Sequence, residues 1–483
     1  MMEIKFASSE LLFLMPEIVL SLFGLFLLLL EAVRKAESKV FLGVLTIIGA
    51  LSSLAFSLFL FGSNLDVMFG LVSLDGLSGL FRILFPVILI LVCLASLRYM
   101  EREGVRFGEY YPLLSFATVG MMVMVSSNNF ITLFMGLEVM SISIYVLCGL
   151  FREDSRSVEA SLKYFLLGAF STAFLLYGIA LLYGLTGSLD VRELVCYLSK
   201  NTASSLFMVG VALLLVGFAF KTALVPFHMW TPDVYEGAPT SVTAFMATGV
   251  KAASFVAFLR VFYTAFIPIV KEWSGILWLV CVLTMSFANL TALVQNNIKR
   301  MLAYSSIAHA GYMLCAFVTG DRPLSASILY YLIAYTFMNI GAFACVILLG
   351  RKGQENLEIE SYAGLSGRHP FVALSMTIFL LSLTGVPPLA GFMGKFYVFS
   401  TAVKAGYVWL AVIGVLNSVV AAYYYLRVVM YMYFREPVKE LGAIDICPSY
   451  VFVILLCIFF LLYMGIFPRP FMLLAEAAVR VFP

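Results

Sequence analysis

The sequence predicts an all-α polytopic membrane protein: a single membrane domain over 1–483 with about fourteen transmembrane helices. Three observations predict it. Hydrophobic residues fill 63% of the 483 positions and Asp, Glu, Lys and Arg only 12%, where a soluble domain carries roughly 45–50% and about 25%. Mean hydropathy is +1.03. The apolar residues fall in runs of about 20, enough for a helix through the hydrocarbon core. A β-barrel would instead need alternating runs of about 10. So little charge cannot cover a water-facing surface, which excludes a soluble enzyme, a disordered protein and a secreted disulfide scaffold.

The candidate spans are 11–31, 40–62, 77–97, 110–126, 129–150, 158–184, 205–229, 238–264, 275–295, 301–319, 325–350, 370–401, 406–433 and 449–470. The opening MMEIK runs into the first without a small-residue cleavage site, so that span is expected to be retained. Loops after the odd-numbered spans hold fifteen Lys and Arg, and the other side, with both termini, holds eight. The bias places both termini outside. No water-soluble domain interrupts the spans.

Other classes are excluded in turn. A net charge of +3 gives no basic face for nucleic acid. The eight cysteines are scattered without a CxxC pair, which argues for small buried hydrophobes and against metal or iron–sulfur sites. The three histidines, His228, His309 and His369, are too few for a two-haem core. There is no P-loop and no dinucleotide fingerprint.

Seven basic residues remain inside spans: Arg82, Lys163, Lys221, Lys251, Arg260, Lys395 and Arg427. A charge at mid-membrane costs about 2.5–3.5 kcal/mol on insertion scales. Arg82, Arg260 and Arg427 are near span ends and are expected to snorkel to the headgroups. Lys163, one to two turns inside span 6, fits snorkelling or function. Lys221 lies in the inner half of span 7, Lys251 near the centre of span 8 and Lys395 in the outer part of span 12; Glu138 is mid-span in span 5. One structural ion pair, say Glu138 with Lys221, leaves two lysines over. A buried lysine without a counter-ion gains and loses a proton near neutrality, which is relay chemistry. His309, mid-span in span 10 between the lysine helices, fits hydrogen-bonded packing or a relay. Glu17, after Pro16 in span 1, is expected at an interface or subunit contact.

Two spans should be discontinuous. Pro226 follows Lys221, lacks an N–H and frees the Thr222 carbonyl. Thr384-Gly385-Val386-Pro387-Pro388, then Gly391 and Gly394, precede Lys395. Unwound backbone at membrane depth survives only inside protein or beside a wet cavity, so each break marks a hydrated pocket beside a lysine. The broken helix is fourth in spans 4–8 and fourth in spans 9–13. The last helices of the two groups share FVAFLRVFY (255–263) and AYYYLRVVM (422–430). Five is odd, so the second group enters from the opposite face, an inverted five-helix repeat of the transporter kind. The chain then divides into spans 1–3 (1–109), a first repeat (110–264), a second repeat (270–433) and span 14 (434–483). Lys221 leans to the cytoplasm, Glu138 and Lys251 are central and Lys395 leans outward, as two half-channels joined by lysines and water.

FKTALVPFHMWTPDVYEGAPTSVTAF, QNNIKRMLAYSSIAHAGYM and LTGVPPLAGFMGKFYVF resemble the antiporter-like membrane subunits of respiratory complex I, the proton-pumping NADH:quinone oxidoreductase. The resemblance covers nearly the whole chain. LMPEIVLSLFGLFLLLLEA and PDVYEGAPTSVTAF look most like the N-subunit (subunit 2) branch. Lys395 stands where the M branch typically has glutamate, and no long lateral helix of the L branch follows span 14. The multisubunit cation/proton antiporters share the fold and the buried lysines, but DVYEGAP fits them poorly.

The resemblance implies a role for each residue. Glu138 matches the fifth-span glutamate and Lys221 its partner on the broken seventh span. Lys251 matches the connecting lysine, Lys395 the exit lysine, and Lys163 a modulating lysine of the sixth span. It further implies a translocase subunit of a cell inner membrane or organellar equivalent, driven by redox chemistry elsewhere. Other subunits would carry FMN and iron–sulfur clusters and reduce quinone, with no cofactor in this chain. Expected partners are other membrane-arm subunits, protons, water and the lipid bilayer, and no nucleic acid. The alternative is a subunit of a multisubunit Na⁺/H⁺ antiporter or of a membrane-bound hydrogenase. A scaffold or stand-alone channel has no need of three central lysines.

Overall fold

Backbone polar groups in hydrocarbon must bond to one another, so apolar runs of this length become helices. The computed structural model describes residues 10–33, 39–104, 107–321, 323–350, 356–437 and 447–482. Lys5, Arg34, Lys35, Arg106, Arg322, Arg351, Lys352 and Lys439, used to orient the loops, lie outside them.

The principal helices are α1 (Met15–Val33), α2 (Val40–Phe59), α3 (Gly76–Arg102), α4 (Tyr110–Ser126), α5 (Phe130–Cys148), α6 (Ser155–Thr186), α7 (Glu193–Lys200), α8 (Ser205–Thr222) and α9 (Trp230–Gly237). Then come α10 (Thr240–Ala265), α11 (Val270–Leu293), α12 (Ile298–Phe317), α13 (Ala326–Leu349), α14 (Pro370–Thr384), α15 (Ala390–Lys404), α16 (Val408–Phe434), α17 (Pro448–Ile466) and α18 (Arg469–Val479). Each expected span is helical, and among the described residues eleven helices have the length and apolarity to cross a bilayer. Of the rest, α4 is shorter, α12 carries Lys299 and Arg300 in its first turn, and the twelfth segment is divided between α14 and α15. Three features lie outside what the span pattern led us to expect. They are the hairpin Leu65–Val67/Val72–Leu74, the amphipathic α7 and α18, and a π-helical turn at Met246–Val250 inside α10.

Helices α10 and α13 are buried on every side, as helices apolar all round should be. Lys251 lies on the first of them, so its surroundings are protein rather than lipid.

Helix entries repeat across the chain. Asn129 caps α5, accepting from the Ile131 amide at 2.9 Å, and Asn297 caps α12, accepting from the Lys299 amide at 2.9 Å. Each belongs to an Asn-Asn-apolar string with the same backbone lacing. Phe130 N–H donates to Leu189 O (3.0 Å) and Val191 N–H to Asn128 O (2.8 Å). Likewise Ile298 N–H donates to Leu357 O (2.7 Å) and Ile359 N–H to Asn296 O (2.8 Å).

Three charges expected at interfaces are instead buried and paired. Arg82 Nε donates to Glu17 Oε1 at 2.6 Å and Nη2 to the Phe13 carbonyl at 2.8 Å, with the Arg82 side chain 2% exposed. Arg260, 1% exposed, holds both oxygens of Asp75 at 2.8 Å and Asn128 Oδ1 at 3.0 Å. The snorkelling expected of Arg82 and Arg260 is therefore corrected, as is the interfacial role of Glu17. Each arginine lies near a helix end, but that end is roofed by other elements carrying a carboxylate. Arg427 differs: its guanidinium bonds the carbonyls of Leu293 (3.0 Å) and Gln295, completing the open end of α11. Asp75 also caps α3 in a reciprocal box with Ser78. Burial opposes its ionisation, yet Arg260 and Ser78 hold its carboxyl below the usual carboxylate range. Its contribution to stability is complete above that usual range and is lost as pH falls through the lower folded value.

Glu17→Gln should destabilise the protein by about 3–5 kcal/mol, because it leaves Arg82 buried without a counter-charge. Thermal unfolding in detergent measures this. Adding Arg82→Met should recover much of the loss, and an unchanged midpoint for Glu17→Gln alone would contradict a buried pair.

Candidate functional site

Lys221 sits at the end of α8. The helix stops because Ala223 turns left-handed (φ 61°), and the Leu224 N–H bonds back to Ala219 O at 2.8 Å. The Trp230 indole donates to the Phe220 carbonyl at 3.1 Å. Residues 223–229, with a cis Val225–Pro226 bond, separate α8 from α9. The Lys221 ammonium is buried and donates to Ser141 Oγ at 2.7 Å and Tyr145 OH at 3.2 Å, both on α5. Its Nζ also lies 5.4 Å from the Tyr145 ring centroid and 5.8 Å from that of Tyr164, within cation–π range.

Glu138 lies one turn before Ser141 on the same helix. The direct Glu138–Lys221 ion pair considered from the sequence is not formed; the ammonium is bonded to Ser141 and Tyr145 instead. Oε1 of Glu138 is buried with no hydrogen-bond partner among the described residues. Glu138 and the Ser141 hydroxyl that holds Lys221 are thus one helical turn apart on α5.

Lys251 follows the π-helical turn directly, a distortion often found at functional positions. Its Nζ donates to the Ser306 carbonyl at 2.6 Å and Ser306 Oγ at 2.5 Å. One turn further along α12, His309 meets a hydroxyl at each ring nitrogen: Tyr331 OH lies 2.7 Å from Nδ1 and Tyr425 OH 3.2 Å from Nε2. Tyr425 OH is also hydrogen-bonded to Ser305 Oγ. Of the two readings open for His309, the geometry brings it between the lysines and gives both nitrogens partners able to donate or accept.

Lys395 closes the series. At the second break Gly385 takes φ 93°, which only glycine adopts without strain. The Gly385 and Val386 amides fold back to Leu381 O, each at 3.0 Å. Pro387 and Pro388, joined by a cis bond, occupy the gap before α15. The Thr384 carbonyl beside this gap accepts from Lys395 Nζ at 2.9 Å, and Nζ lies 4.7 Å from the Tyr312 ring centroid. A Cβ at Gly394 would stand 2.3 Å from the Tyr331 ring, so the absence of a side chain there lets the histidine's tyrosine pack against the turn that carries Lys395. Tyr312 OH bonds Asn289 Nδ2 at 2.9 Å.

Lys163 is set apart, 41% exposed, and paired with Asp233 at 2.8 Å and Glu159 at 2.5 Å. Arg300 contacts the same Asp233 at 2.8 Å and Glu236 at 2.7 Å. This network ties α6, α9 and α12 together at the mouth of the first break. Tyr164, the next residue after Lys163, stacks on Trp230 at 4.3 Å and walls the Lys221 pocket. Lys299, counted among the loop bases, is wholly buried and donates to Ala238 O at 2.7 Å.

The residues missed from the sequence are the hydroxyls: Ser141, Tyr145, Ser305, Ser306, Tyr331 and Tyr425. The only signal was a spacing of three between Ser306 and His309. Nothing in Tyr423-Tyr424-Tyr425 shows that the first is exposed, the second bonds Asn289 and the third reaches His309.

Buried lysines bonded to hydroxyls and backbone carbonyls, on a bundle with two interrupted helices, are the features of an antiporter-like membrane subunit. Residues 127–421 match the family model described as NADH:quinone oxidoreductase/Mrp antiporter, TM. The chain belongs to that family. NADH-quinone oxidoreductase subunit N of Trichlorobacter lovleyi is 47% identical over 470 residues, 97% of this chain and 96% of the relative. A chain of respiratory complex I from Thermus thermophilus with bound aureothin superposes with TM-score 0.82 at 35% identity, covering 96% of this chain and all of that one. A chain of the Mrp complex from Dietzia superposes with TM-score 0.83 at 19% identity over 99% and 98% of the two chains, which shows the common fold alone.

Asp233→Asn should lower the thermal midpoint more than Glu159→Gln. Asp233 bridges cations on two helices, whereas Glu159 is an exposed partner within one helix, worth about 0.5 kcal/mol or less. Equal effects would show that the bridge adds nothing.

Proposed function

We propose that this chain is the N-type membrane-arm subunit of an NADH:quinone oxidoreductase and translocates protons through Glu138, Lys221, Lys251, His309 and Lys395. The observation that carries the reading is the set of buried hydroxyls between Lys251 and Lys395: Ser306 holds Lys251, Tyr425 bonds both Ser305 and His309, and Tyr331 bonds His309 and packs on Gly394 beside Lys395, with water proposed to close the steps between them. Each lysine ammonium is bonded to neutral oxygens, so its proton can leave without stranding a partner carboxylate. Glu138, near Lys221 but not bonded to it, supplies a charge whose approach or withdrawal favours or disfavours the Lys221 ammonium. Lys163 would tune that pair indirectly, through the Asp233 network and the Tyr164 wall. Energy arrives from redox chemistry in partner subunits that hold flavin, iron–sulfur centres and the quinone site; this chain serves the enzyme complex without a redox centre of its own.

The inverted repeat belongs to the same proposal, with 110–264 and 270–433 as its halves, 1–109 before them and 434–483 after. Its support is the matched lacing at Asn128-Asn129 and Asn296-Asn297, the two left-handed breaks, and the Leu-Arg-Val arginines. Arg260 reaches Asn128, and Arg427 reaches Gln295 beside Asn296. The bias of loop bases supports both termini on the periplasmic side of an inner membrane or its organellar equivalent. Sodium exchange is the weaker reading: a file of ammonium groups repels Na⁺ and offers it few carboxylates.

In inside-out vesicles carrying the intact complex, Lys221→Ala should abolish or sharply reduce proton pumping linked to quinone reduction. Undiminished pumping would sink the relay assignment.

A further inference from the structure

We propose that the groove between α15, α18 and the turn before α13 binds an anionic phospholipid, with its phosphate held by Lys404, Arg469 and Arg480. The groove encloses about 1070 Å³. Lys404 ends α15, Arg469 opens α18 and Arg480 follows its last turn, so all three bases stand at helix ends around one groove. None of them has a carboxylate within ion-pair distance among the described residues, and Glu476 is the one acid on the rim. The wall below is apolar, including Leu324, Tyr397, Leu473 and Phe482. Cations above an apolar wall match a phosphate carrying acyl chains.

Two further observations point to a lipid. On the proposed topology this rim lies on the membrane face with only eight Lys and Arg, so the rule that loads the opposite loops does not explain a cluster here. Three of those eight converge on this one groove. Helix α18 is amphipathic and buries Ala475, Ala478 and Val479 against the bundle while leaving Leu473 and Leu474 exposed, at 53% and 40%. That is the build of a helix lying along the interface, beside which a headgroup sits naturally. Arginine also presents paired N–H donors suited to phosphate.

The test uses the intact complex, stripped of lipid in detergent and titrated with phosphatidylglycerol or phosphatidylcholine under native mass spectrometry. Wild type should retain phosphatidylglycerol in preference to phosphatidylcholine. Each of Lys404→Gln, Arg469→Gln and Arg480→Gln should weaken that retention about fivefold, and the triple variant should lose the preference. If the triple variant fails to assemble, the single variants carry the test. Equal retention of the two lipids by wild type overturns the proposal, as does phosphatidylglycerol retention unchanged by the substitutions. So does release of a neighbouring subunit with lipid retention intact, which would make the cluster a protein interface. The readout is independent of pumping, so it stands or falls apart from the proton route.

Discussion

An ammonium group in hydrocarbon needs oxygen partners, and the choice between charged and neutral ones divides this molecule in two. Arg82 and Arg260, which cannot shed their protons, are given Glu17 and Asp75. Lys221, Lys251 and Lys395, which can, are given serine and tyrosine hydroxyls and backbone carbonyls. The carboxylates near the file are committed elsewhere: Asp233 and Glu236 serve Arg300 and Lys163. Glu138 lies one turn from the Ser141 that holds Lys221, and its buried Oε1 has no hydrogen-bond partner among the described residues.

The interrupted helices follow from the same need. A helix that stops leaves its last carbonyls without intrahelical partners, free to accept from a lysine. Stopping α14 at Gly385 leaves the Thr384 carbonyl to Lys395. Stopping α8 at Ala223 places Lys221 at the end of a half-helix, facing α5. Arg260 ties the entry of α5 at Asn128 to the cap at Asp75, and Arg427 ties Leu293 and Gln295 before α12, while the wholly buried α10 and α13 keep lipid away from Lys251.

Much of this was legible in the chain. Apolar runs gave the helices, because the bilayer allows the backbone few alternatives. Pro226 and Gly385–Pro388 gave the breaks, because those residues act locally. The charges were read less well, since depth along a span does not say what roofs its end. Arg82 and Arg260 were placed near interfaces, yet the N-terminal turn at Phe13 and the cap at Asp75 cover them. The hydroxyl bridges were invisible for a related reason: in a tyrosine run, facing is decided by tertiary packing, and Tyr425 turns inward where Tyr423 does not. Lys299 reads as a loop base because it follows two asparagines, but that turn is folded under Ala238.

The central claim is that protons pass between Lys251 and Lys395 through hydroxyls and His309. Tyr425→Phe probes it with least disturbance, since it removes one oxygen and no charge, and that oxygen links Ser305 to His309. The decisive quantity is the ratio of protons moved to quinone reduced by the intact complex in sealed vesicles. The ratio should fall while the complex still assembles and still reduces quinone. An assembled variant with an unchanged ratio would contradict a route through this file.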